Sequence, residues 1–112
     1  VTGDELAALL AEDAVTVVDV RTRPEFEGAA GYPCDPSQGH IPGAIHVELD
    51  ELLAASREEV GALLEARGAA PGLRLVLYCH SGSRSGVAAA ALRAAGLDAE
   101  NYAGSWHEWS RR

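Results

Sequence analysis

Reactive chemistry is concentrated in one run, Cys79-His80-Ser81-Gly82-Ser83-Arg84. A thiol is a weak nucleophile until it ionises, and a helix N-terminus or a neighbouring cation favours the thiolate. Both are expected here, because a helix opens shortly after Cys79 and Arg84 stands where the loop meets it. Gly82 relaxes the backbone, so that successive amides can point at one centre and form an anion cradle. Such a cradle holds a thiolate, a persulfide anion or an oxyanion leaving group. A structural cysteine is usually buried among aliphatics, whereas Cys79 is surrounded by Gly, Ser and Arg.

Other residues carry less definite chemistry. Arg84 either presents its guanidinium fork to an anion or braces the loop. Asp19 and Arg21 form an ion pair that fixes a strand end or support the site more directly. His80 is expected to leave the loop toward solvent, where it contacts the acceptor or stands idle. His40 belongs to a turn near the sheet end. Cys34 lies in a Pro-rich segment and is read as a bystander. Two cysteines and four scattered histidines show no metal-ligand spacing, so no metal and no cofactor is expected.

A framework must bring these groups together. Thr2-Gly3-Asp4-Glu5 has the form of a capping box, followed by a helical stripe of Leu6, Leu9 and Leu10. The β-branched run Val15 to Val20 reads as a buried strand that delivers Asp19 and Arg21 at its carboxyl end. Residues 27 to 39 are rich in Gly and Pro and read as a loop. Ala44 to Val47 is a short strand, Asp50 to Ala55 and Arg57 to Arg67 are helices, and Leu73 to Tyr78 is a central strand ending at Cys79. The Ala-rich stretch from about Ser85 to Ala95 is the helix after the loop. Ala99 to Tyr102 is a last strand and Trp106 to Trp109 a final turn, whose two tryptophans share a face that seals the core. Alternating strands and helices predict an α/β domain with a parallel sheet, and ligands in such sheets sit beyond the carboxyl ends of the strands.

The chain of 112 residues is 47% hydrophobic, enough for a single core and domain over residues 1–112. Nine basic residues against 17 acidic ones give a formal charge of -8, which argues against nucleic acid or an anionic membrane as partner. No apolar run is long enough to span a bilayer, and the expectation is a cytoplasmic protein. The lack of methionine and the start at Val1 suggest a piece of a longer chain with a possible partner domain.

The Cys79–Arg84 run resembles the Cys-X-X-Gly-X-Arg loop of the rhodanese family. Asp19-Val20-Arg21 and Gly39-His40-Ile41-Pro42-Gly43-Ala44 are similar to that family's two other signatures, in the same order. The resemblance implies a central five-stranded parallel sheet flanked by helices on both faces. It implies Cys79 as catalytic residue, with His80, Ser81, Gly82, Ser83 and Arg84 forming the substrate-binding loop. The implied reaction moves a sulfane sulfur from a small anionic donor, thiosulfate or mercaptopyruvate, through a Cys79 persulfide to cyanide or a thiol. The alternative is a persulfide carrier that delivers sulfur to a protein partner. Related phosphatases and arsenate reductases have a Cys-X5-Arg loop, wide enough for a tetrahedral oxyanion, and the shorter loop here favours a sulfur atom.

Gly104-Ser105-Trp106-His107-Glu108-Trp109 resembles the closing motif of the second, catalytic domain of two-domain sulfurtransferases, and the Glu27-to-Gln38 segment resembles an insertion found there. The Ser83-Arg84-Ser85 ending looks more like single-domain members. Glu25 stands where two-domain thiosulfate enzymes often place an arginine. It is expected to repel an anionic donor, unless it points to solvent or pairs with Arg21 or Arg23.

Overall fold

The computed structural model describes residues 1–112. The capping box forms as expected: the Thr2 hydroxyl accepts from the Glu5 amide, the Glu5 carboxylate accepts from the Thr2 amide, and α1 runs over Gly3–Ala11. A second capping box, between Thr22 and Glu25, starts a short helix that the sequence reading missed. The further elements are β1 (Val15–Asp19), α2 (Arg23–Glu27), β2 (Ile45–His46), α3 (Leu49–Ala54), α4 (Val60–Ala66), β3 (Arg74–Tyr78), α5 (Ser83–Ala94), β4 (Ala99–Asn101) and α6 (Ser105–Trp109).

All strand pairs are parallel, in the order β2-β1-β3-β4. The sheet thus has four strands where the resemblance implied five. Only four runs of strand-forming residues exist in residues 1–112, and the segment ahead of β1 is committed to α1 by its cap. Helix α4 is shorter than its expected span, since Ser56 to Glu59 form a turn ahead of it. Helix α5 begins at Ser83, inside the expected loop, because Gly82 takes a left-handed conformation that ends the turn early.

Strand periodicity sorts the core into two layers. Val18, Leu75 and Leu77 face α3, α4 and α5 through Leu52, Leu64, Ala88, Ala89 and Leu92. Val15, Val17, Val76 and Tyr78 face the other way, onto Leu6, Ile41, Tyr102 and Trp106. Fully burying a large apolar side chain contributes roughly 1.5–3 kcal/mol, so both faces of the sheet are anchored. The register aligns Asp19 with Tyr78. Asp19-Val20-Arg21 and Cys79 therefore leave the sheet side by side at the carboxyl end. No helix is long and apolar enough to cross a membrane.

Candidate active site

Cys79 follows the last residue of β3, and its loop is tied to the opposite rim. The Cys79 amide donates to the Ser105 hydroxyl at 3.1 Å, which donates to the Tyr102 carbonyl at 2.8 Å. The amides of Trp106 and His107 donate to the carbonyls of Cys79 and His80. Gly82, at φ +97°, lies so close to Ala103 that a Cβ would come within 2.7 Å of its carbonyl oxygen. Only glycine meets both demands. The Asn101 side-chain amide holds the Gly82 carbonyl at 3.1 Å. The Gly104–Trp109 motif thus braces the active loop from behind.

At the sulfur, the Gly82 amide donates to Sγ at 3.1 Å and the Ser85 hydroxyl at 3.4 Å. Cys79 is 1% exposed. Burial alone would push the thiol up, but the Ser85 hydroxyl and the amides of Ser85, Gly82 and Ser81 outweigh it and hold the pKa below the ordinary thiol range. The expected amide cradle is present, with Ser85 as a donor that the sequence reading missed.

Arg84 departs from expectation. Its Nη1 lies 3.0 Å from Glu25 Oε1 and its Nη2 3.3 Å from Oε2, a two-pronged pair between α5 and α2. Burial opposes the charge on Glu25, yet Arg84 and Thr22 hold its carboxyl below the usual range. Glu25 therefore neither points to solvent nor pairs with Arg21 or Arg23, because the capping box on α2 aims it at Arg84 instead. The guanidinium expected to favour the thiolate is occupied by a carboxylate. Ser81 and Ser83 are exposed at the rim of the loop.

His80 does not leave toward solvent. Residues after α2 fold across the loop, placing the Tyr32 ring 3.6 Å from the His80 imidazole and Asp35 Oδ2 2.9 Å from its Nε2. The Trp106 indole N–H donates to the Ser37 carbonyl, which pins the same segment from below. The Gly- and Pro-rich loop thus covers the His80 side of the active loop.

Asp19 and Arg21 are both buried and form a network. Asp19 accepts from the Arg21 amide, from its Nε and Nη2, and from the Tyr78 hydroxyl at 2.8 Å. Arg21 also donates to the Gly39 carbonyl, while Tyr78 accepts the Ile41 amide at 3.0 Å. The guanidinium lies 5.3 Å from the centre of the Trp106 ring. This network seats the Gly39–Ala44 turn against the strand end. His40 stacks on Phe26 and contacts its carbonyl at 2.8 Å, so its ring serves α2. Cys34, Asp35, His80 and His107, scattered in the sequence, come together as possible metal-ligating groups.

The hydrogen bonds at Sγ predict the behaviour of one variant. Ser85→Ala removes a donor to the thiolate, so the thiol pKa should rise and the acid limb of the activity profile should move to higher pH. The neutral-pH rate should fall roughly tenfold, since a hydrogen bond to a charged group contributes about 1.5–3 kcal/mol. Thiolate absorbance, as a difference titration against Cys79→Ser, measures this. An unmoved titration would remove Ser85 from the cradle.

A family model described as the rhodanese-like domain matches residues 2–112. The chain is 43% identical over 101 residues to SseB of Mycobacterium tuberculosis, named among the thiosulfate sulfurtransferases, covering 86% of this chain and 35% of that protein. It is 31% identical over 109 residues to the 3-mercaptopyruvate sulfurtransferase of Escherichia coli, covering 90% of this chain and 38% of the other. The solved structure of the human single-domain sulfurtransferase TSTD1 superposes with a TM-score of 0.72 at 33% identity, covering 100% of this chain and 95% of that one. The chain thus spans little more than a third of the length of these curated relatives.

Proposed function

The chain belongs to the rhodanese family, and from that membership we propose that residues 1–112 form one catalytic domain that transfers sulfane sulfur through Cys79. The observation that carries this reading is the pair of donors on Cys79 Sγ. The thiolate attacks the outer sulfur of the donor. With thiosulfate, the S–S bond breaks and sulfite leaves with the electron pair. With mercaptopyruvate, the C–S bond breaks and the pyruvate enolate takes up a proton. The Gly82 amide and the Ser85 hydroxyl that hold the thiolate are placed to support the persulfide anion. Cyanide or an acceptor thiolate then attacks the terminal sulfur and returns Cys79 as thiolate, a two-stage covalent cycle.

Intact mass tests the reading. Wild type incubated with donor should gain one sulfur atom and lose it on addition of cyanide. No gain with thiosulfate or mercaptopyruvate would overturn it.

A second reading, a persulfide carrier that delivers sulfur to a protein partner and turns over small donors poorly, is favoured by the engagement of Arg84 with Glu25. With that cation neutralised, the mouth of the site has little to hold a small dianion. Glu25→Gln should free Arg84 and lower the Michaelis constant for thiosulfate about fivefold, or ~1 kcal/mol, and less for singly charged mercaptopyruvate. Steady-state kinetics with both donors measure it. An unchanged constant would retire Glu25 as a specificity residue.

A further inference from the structure

The covering segment and the active loop meet in a group of side chains that sulfur transfer does not use. Cys34, Asp35, His80 and His107 each offer one ligand atom, all within 4.8 Å of one another. The Asp35 side chain is fully buried at 0% exposure, and its Oδ2 faces the His80 imidazole. His80 Nε2 lies 2.9 Å from that oxygen as its ion-pair partner, and neither atom has a second partner. The pair is satisfied only within itself, and a divalent ion can take the place of the proton between the two atoms.

The surroundings aim the group at a cation. Arg111 donates to Asp35 Oδ1 at 2.9 Å and to the Cys34 carbonyl at 2.8 Å, which fixes the carboxylate and leaves Oδ2 turned toward His80. Tyr32 stacks on the His80 ring and sets its plane. The His107 amide donates to the His80 carbonyl, so the two imidazoles are carried on joined backbone. Contacts of this kind orient ligands around a metal.

The geometry points to a site for a zinc-type divalent cation, held by Cys34 Sγ, the Asp35 carboxylate, His80 Nε2 and His107 Nδ1. One thiolate, one carboxylate and two neutral imidazoles make a four-ligand set whose two negative charges offset the dication, with the Arg111 guanidinium on Asp35 leaving the group one charge positive. Binding releases the Cys34 thiol proton to solvent. Bonds of about 2.0–2.3 Å place tetrahedral ligand atoms roughly 3.3–3.8 Å apart. The 2.9 Å His80–Asp35 pair must therefore open by a few tenths of an ångström, while exposed Cys34 and half-exposed His107 have room to draw in. The ion would join three segments: the covering loop, the active loop through His80, and α6.

Co²⁺ added to the reduced full chain tests the site without reference to catalysis, so its outcome is separate from that of the sulfur-transfer assignment. One Co²⁺ per chain is expected, with tetrahedral visible bands and a thiolate-to-cobalt charge-transfer band, both displaced by Zn²⁺. Cys79→Ser should keep both, Cys34→Ser should lose the charge-transfer band, and His107→Ala should weaken the visible bands. Cys34 and His107 are on the surface, so these two variants are expected to fold. Absence of stoichiometric binding would overturn the proposal. So would bands that survive Cys34→Ser and vanish in Cys79→Ser.

Discussion

Cys79→Ser is expected to abolish thiocyanate production from thiosulfate and cyanide, to leave the protein mass unchanged after donor treatment, and to leave the fold intact. A serine hydroxyl stays protonated near neutrality and cannot carry a second sulfur as a persulfide. The substitution is nearly isosteric, and the Gly82 amide and Ser85 hydroxyl can still donate to the oxygen that replaces Sγ. The backbone ties of the loop to Ser105 and Trp106 do not involve the side chain. Activity should therefore fall by at least about a thousandfold, more than 4 kcal/mol of transition-state stabilisation, with little change in melting temperature. Turnover within tenfold of wild type would remove Cys79 from the mechanism.

Asp19→Ala is expected to be among the most destabilising single substitutions in the chain. It strips Arg21, 1% exposed, of its carboxylate, and leaves the Tyr78 hydroxyl without its acceptor. Removing one partner of a buried ion pair costs about 3–5 kcal/mol, because the other charge is left uncompensated. For a domain of this size that lowers the melting temperature by roughly 15 °C. The Gly39–Ala44 turn, which depends on Arg21 and Tyr78, should loosen with it. Thermal unfolding followed by circular dichroism measures the loss. Asp19→Asn, which keeps the shape and one acceptor oxygen, should lie between the two. A loss below about 1 kcal/mol would show that the network contributes little.

The architecture was readable because its signals are local. The β-branched run before Asp19, the apolar run before Cys79 and the cap at Thr2 each commit a segment on their own, and α/β alternation follows. The loop was readable because Cys79, Gly82 and Arg84 are unusual together. What escaped is set by long-range pairing. The partner of Arg84 is 59 residues away, and a capping box read at Thr22 would have revealed the helix that presents it. The covering of His80 depends on Tyr32 and Asp35, which sit in a stretch whose Gly and Pro content signals only irregular backbone. Ser85 was counted as the residue after the arginine, and its role as a donor appears only once α5 turns its first coil toward the sulfur.

The near-complete enclosure of Cys79 bears on what happens between the two halves of a turnover. If Cys79 carries sulfur as proposed, a loaded sulfur so deep in the protein would be sheltered from stray reductants and little of it would leak away before a recipient arrives. On the proposed cycle the same enclosure would sort recipients by girth, with slender cyanide reaching the sulfur more readily than a bulky thiol. Opening the enclosure around Cys79 would then trade retention of the cargo for speed of delivery.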